Sequence, residues 1–180
     1  MASIMPFDSF LRTSLPKKLL KSYRSFEILS EADLQAFVWM HAKRFLRTLP
    51  DGASKFSVSN KLYCGDLKIH PDLVVRRFDK PWICLELKEA GRIVPTAIQE
   101  DRRRLNLTRH ELKAHRGYLI YLSRHSKGRS PNFEIEDQYP LIRSLMISMQ
   151  DELPPEDFAK WNVEFKRLSK YRLPPKLAVS

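Results

Sequence analysis

Glycine is scarce in this chain, 5 residues in 180, while proline reaches 12. That balance argues against a glycine-rich β-architecture. Cysteine is nearly absent: Cys64 and Cys84 make neither a disulfide scaffold nor, by themselves, a zinc site. Reduced thiols and a cytoplasmic setting are therefore expected. No run of about 18 apolar residues occurs, so no membrane span is expected. Met1 to Leu20 lacks a continuous apolar stretch and a small-residue cleavage site, and does not read as a secretory signal. A Walker A loop, a G-x-S-x-G turn and a Cys–His nucleophile pattern are also missing. His110 and His115 stand five apart, off a common helix face, with no third ligand nearby, which does not suit zinc.

Acidic side chains are outnumbered, 21 Asp and Glu against 32 Lys and Arg, for a net charge of +11. Such an excess points to a polyanionic partner, nucleic acid first, with an acidic protein partner as the alternative. The chain is long enough for one ordinary domain, and 43% hydrophobic with 29% charged residues is the balance of a folded chain, not a disordered one.

Residues 1–29 read as a basic N-terminal arm, with Pro6, Pro16, Lys17, Lys18 and Lys21, loosely ordered or carrying a short helix. Ser30 reads as a helix cap with Asp33 as its near partner. Leu34, Phe37, Val38, Phe45, Leu46 and Leu49 then give an amphipathic helix ending near Pro50-Asp51-Gly52. Three strands follow: Lys55 to Tyr63, Leu67 to Phe78 and Trp82 to Lys88. Gly65 turns the first pair, Asp79-Lys80-Pro81 the second, and Gly91 breaks the chain. Pro95 suits the first position of a sparse, charged helix to about His110. Tyr118 to Leu122 reads as a strand, and Asp137 to Leu153 as a helix with Leu141, Ile142, Leu145 and Met149 inward. Residues 30–153 are taken as one domain and 154–180 as an extension packing on it. The order predicts a small mixed sheet flanked by helices.

The segment that carries chemistry is His70-Pro71-Asp72 through Glu86-Leu87-Lys88. In a strand, residues two apart share a face, so Glu86 and Lys88 project together while Leu85 and Leu87 face the other way. Thirteen residues separate Asp72 from Glu86, enough for a hairpin that sets them side by side. Two carboxyls converging among apolar strands need compensation, and a hard divalent cation supplies it. The Leu87 carbonyl is a candidate third ligand.

Pro71-Asp72 and Glu86-Leu87-Lys88 resemble the PD-(D/E)xK motif of the restriction-endonuclease-like nuclease superfamily. The resemblance runs from Ser30 to about Ser123. It implies an αβββαβ core and a Mg²⁺-dependent nuclease, with Mn²⁺ as a substitute and DNA favoured over RNA. Asp72 and Glu86 would carry the metal, and Lys88 would assist the attacking water. It further implies a metal-assisting acid in the first helix, Glu31 or else Glu27. A RecB-like site glutamine would be Gln99, with Arg103 standing where that subgroup has tyrosine. Arg102, Arg103, Arg104 and Arg109 are expected to meet the phosphate backbone, and Arg76, Arg77 and Arg92 to border the site. A homodimer or a larger nucleoprotein complex is compatible with this reading. The alternative is a non-catalytic, basic nucleic-acid-binding or assembly module on the same fold, with the acidic pair vestigial.

Overall fold

A computed structural model describes residues 5–50, 52–60, 70–92, 94–125, 134–135 and 139–171. Cys64, the Gly65 turn, the strand ends at Tyr63 and Leu67, the helix start at Asp137 and the last part of the C-terminal extension lie outside the described residues.

The first described element is a helix, Met5–Ser9 (α1), which passes through a π-helical turn at Phe10–Ser14 into Leu15–Arg24 (α2). Phe7, Leu11, Leu15, Leu19 and Tyr23 recur every fourth residue and are fully buried. A repeat of four runs ahead of a 3.6-residue turn; the π turn, with its i→i+5 bonding, takes back part of that drift and keeps the stripe on one face. The stretch with Lys17, Lys18 and Lys21 is thus the outer face of a core helix.

Glu31–Thr48 (α3) starts where Ser30 caps it: the Ser30 hydroxyl accepts from Asp33 N at 3.2 Å and donates to Asp33 Oδ2 at 2.9 Å. Leu34, Val38, Ala42 and Leu46 form its buried stripe. A short turn, Gly52–Lys55 (α4), leads to Phe56–Asn60 (β1). Leu73–Arg77 (β2) and Lys80–Arg92 (β3) form an antiparallel hairpin whose turn is Phe78-Asp79. Lys80 and Pro81 belong to β3, and Gly91 does not break it. A Cβ on Gly91 would lie 2.4 Å from Arg124 Nη2, the movable end of a long side chain, so the strand runs through this position without requiring glycine.

Pro95–Glu111 (α5) opens with its proline at the first turn, and Arg116–His125 (β4) returns parallel to β3. The helix expected from Asp137 to Leu153 is corrected: Ile142–Ser148 is a strand (β6), parallel to β4, and only Met149–Glu152 (α6) is helical. Six of the seven β6 residues are buried, all but Arg143, which marks a strand covered on both faces. Glu134–Ile135 (β5) pairs antiparallel with β6, and Pro155–Ser169 (α7) ends the described chain.

Among the described residues six strands run in the order β1-β2-β3-β4-β6-β5, a mixed sheet. One face packs on the α1–α3 stripes and on Trp161 and Phe165 of α7. The other carries Val74, Cys84, Leu119, Tyr121 and Met146 under Ile98 and Leu105 of α5. From α3 to β4 the described elements run helix, the short α4 turn, three strands, helix, strand. Among the described residues no helix is long and apolar enough to cross a membrane.

Candidate active site

The hairpin register decides where the carboxyls meet. Leu73 stands opposite Leu85 and Val74 opposite Cys84, so the next pair outward is Asp72 and Glu86. Both are buried, at 8% and 9% exposure, on the side of the sheet that α5 covers. Because β2 ends at Leu73, the Leu87 amide has no ladder partner there, and Asp72 replaces it: its Oδ2 accepts from Leu87 N at 2.7 Å. The N–H and C=O of one strand residue leave by the same edge, so the Leu87 carbonyl also turns toward Asp72. Asp72 Oδ1 accepts from Gln35 Nε2 at 2.7 Å.

Lys88 lies on the same face, two residues along. Its Nζ is 3.0 Å from Glu86 Oε1 and 3.7 Å from Glu31 Oε1. Glu31 and Gln35 are one turn apart on α3, which brings both to the strand ends. Of the two candidate acids, Glu31 on α3 reaches the cluster through Lys88, whereas Glu27 is exposed in the connection before α3.

Electrostatics in the cluster follow from burial and crowding. Glu86 is pushed up to about 7, by desolvation first and then by the Asp72 charge, with Lys88 opposing. Glu31 is raised for the same reason, with Asp72 and Asp101 adding to it. Burial alone would lower Lys88, but Glu86 above all, then Glu31 and Asp72, hold it above its ordinary value. Lys88 is thus a fixed cation at neutral pH, and the carboxyls around it resist ionising together.

Three neighbours escape a motif-level reading. Gln35 is one. The others are Asp101 on α5 and Tyr121 on β4: the Tyr121 hydroxyl donates a short hydrogen bond to Asp101 Oδ2, and Tyr121 is the β4 partner of Lys88. Burial, Asp101 and then Glu86 keep Tyr121 protonated far above neutrality. Asp101 does carry a signal in the sequence. With Ile98 and Leu105 it occupies the i, i+3, i+7 row of α5, so a carboxyl lies on the apolar stripe of that helix.

Gln99 is not drawn into the cluster: it is exposed and lines a groove with Pro95, Thr96, Glu100, Arg103 and Tyr139. The arginines separate. Arg102 is corrected as a phosphate contact, being 2% exposed with its Nε donating to Ser144 Oγ at 2.9 Å. Arg109 donates to Asn106 Oδ1 and to the Ala114 carbonyl, closing the end of α5. Arg103 is exposed but paired with Glu100 at 2.7 Å, and Arg104 lies 4.0 Å from Asp101. Arg76 and Arg77 do not border the site: β2 carries them away from Asp72, by about 13 and 17 Å at strand rise. Arg92 is exposed at the end of β3 that carries Lys88.

Among the described residues, no three His, Cys, Asp or Glu side chains form a metal-binding group. The oxygens that could hold a hard cation are those of Asp72 and Glu86 with the Leu87 carbonyl. These are hard oxygens, of the kind and number that Mg²⁺ takes when water completes its shell. In comparisons with protein-family models, curated proteins and solved structures, the chain finds no match.

Proposed function

We propose that the protein is a Mg²⁺-dependent nuclease of PD-(D/E)xK type, hydrolysing phosphodiester bonds of nucleic acid, with DNA favoured, and that its fold is restriction-endonuclease-like. The observation that carries this reading is the register of the β2–β3 hairpin. It sets two buried carboxyls opposite each other, with an ammonium two residues on, at the end of a strand pair. Asp72 and Glu86, with the Leu87 carbonyl, would hold the ion, whose chemistry when bound is Lewis-acid polarisation of the phosphate. Lys88, charged throughout the neutral range, would orient the attacking water and face charge growing on the phosphate. Gln35 and the Leu87 amide hold Asp72 in one orientation. Arg92, exposed at the end of β3, and Arg104, exposed and 4.0 Å from Asp101, would meet the backbone of the substrate.

A second reading has an observation of its own. Lys88 already pairs with Glu86 and Glu31, and Asp72 already accepts two hydrogen bonds, so the cluster is satisfied without an ion. That is how a vestigial centre in a non-catalytic nucleic-acid-binding or assembly module would look. Incubating the protein with plasmid, linear duplex and single-stranded DNA, with Mg²⁺, Mn²⁺ or EDTA, separates the two. Cleavage with either ion, lost in EDTA and in Asp72→Ala, Glu86→Ala and Lys88→Ala, supports the enzyme. Calorimetry showing no Mg²⁺ uptake by the parent protein, together with no cleavage, supports the module.

A further inference from the structure

The turn between β2 and β3 presents a side chain that the fold does not need there. Phe78 and Asp79 have φ of 49° and 60°. A two-residue hairpin turn with both residues in the left-handed region favours Asn-Gly, and a bulky phenylalanine is strained in it. Burial does not offset the strain, because Phe78 is 57% exposed. The turn is nevertheless fixed, since Phe78 N donates to the Lys55 carbonyl at 2.8 Å. Cations flank the ring: the Arg77 guanidinium lies 5.3 Å from its centroid and the Lys55 ammonium 6.0 Å. Arg77 also lies 6.0 Å from the Phe56 ring. Phe56 in turn lines a groove of about 200 Å³ whose wall carries Lys43 and Arg47.

Rings and cations therefore alternate along one edge of the sheet, in a chain of net charge +11. A flexible polyanion with unstacked flat bases matches that alternation: phosphates meet the cations and a base meets the ring. A duplex does not match it, because its bases are hidden in their own stack. We infer that the edge running from Phe78 through Phe56 to Lys43 and Arg47 binds single-stranded nucleic acid, with a base against Phe78. The inference rests on the nuclease reading only for its purpose, which is to hold an unpaired strand leading to or from the site. The turn lies at the opposite end of β3 from Lys88, about 25 Å away at strand rise.

The test is fluorescence anisotropy with a labelled oligothymidine and a duplex of equal length, in EDTA, so that binding is read apart from cleavage. Phe78→Ala should weaken oligothymidine binding about tenfold, the effect of losing one stacked base, and leave duplex binding nearly unchanged. Phe78→Asn should weaken it equally while raising Tm, because asparagine tolerates the left-handed turn; a ring kept for folding alone would give the opposite Tm change. Phe78→Trp should retain affinity, and oligothymidine should quench its fluorescence beyond the quench in the parent protein. Unchanged oligothymidine affinity in folded Phe78→Ala and Phe78→Asn overturns the inference, as does equal loss on both probes. So does concentration-dependent self-association through this edge without oligothymidine binding. Loss of binding in these variants with a parent protein that cleaves nothing leaves the inference standing and removes the nuclease reading; cleavage with unaltered binding does the reverse.

Discussion

Replacing Glu86 by glutamine keeps the length of the side chain and one of its oxygens but removes the charge. In the folded protein this carboxyl is pushed from the ordinary 4.5 up to about 7, by burial and then by Asp72. Between those two pH values the folded state holds a proton that the unfolded state releases, so stability falls as pH rises, and above about 7 the penalty is complete. Each tenfold in proton affinity is worth about 1.4 kcal/mol, so the full penalty is roughly 3 kcal/mol. The variant escapes it but leaves Lys88 with Glu31 alone, at 3.7 Å. The net gain expected for Glu86→Gln is therefore about 1–2 kcal/mol at about pH 8.5, and near zero at about pH 5, where the native carboxyl is already protonated. In a chain of this size that corresponds to about 3–6 °C in Tm. Urea and thermal unfolding of both proteins at the two pH values reads it directly. Added Mg²⁺ should raise the Tm of the parent and not of the variant. A stability change equal at both pH values, or a destabilisation that grows with pH, would refute the argument from crowded carboxyls.

Three further substitutions probe other parts of the structure. Asp72→Ala removes the acceptor of the Leu87 amide and of Gln35; it should abolish Mg²⁺-dependent cleavage in a plasmid-nicking assay and destabilise by about 1–3 kcal/mol in urea, and full activity would end the assignment. Asp8 gathers Arg116 at 3.0 Å, Arg12 at 3.5 Å and Arg143 at 3.7 Å, with the Tyr118 hydroxyl donating to it, so Asp8→Ala should cost about 3–5 kcal/mol in a thermal melt. Burial raises the Asp8 carboxyl, but Tyr118 and the arginines together hold it below its ordinary range, so its contribution is present above that range and lost as pH falls through the folded value; acid titration of unfolding should show a shallower loss in the variant. Gly117→Ala would place a Cβ 2.6 Å from Ile142 Cδ1 and 2.9 Å from Leu105 Cγ, an overpacking that should lower stability by about 1–3 kcal/mol in calorimetry.

The parts legible in the sequence are those whose signal is local. Ser30 and Asp33 announce α3 because the cap is made within four residues, and Pro95 announces α5 for the same reason. The Asp72–Glu86 pairing was readable because a hairpin converts sequence spacing into register. What failed has a physical cause. Leu145-Met146-Ile147 in β6 is buried on both faces, and a fully buried strand has no alternation to set against a helical spacing. The arm-like reading of residues 1–29 weighed its prolines and lysines over the four-residue row from Phe7 to Tyr23. Gln35, Asp101 and Tyr121 depend on where α3, α5 and β4 dock, which no local pattern encodes. The sequence points to Asp79-Lys80-Pro81 and the structure turns at Phe78-Asp79, because phenylalanine is a poor sequence marker for a left-handed backbone.

The helices that open the chain are tied to its far parts. Asp8 meets Tyr118 across 110 residues, and the carbonyl of Arg24 accepts from Trp161 across 137. During synthesis this apolar stripe leaves the ribosome long before β4, β6 and α7 exist to receive it. Closure must wait until residues 116–165 have been made, so folding should be slow and dependent on shielding of the nascent stripe.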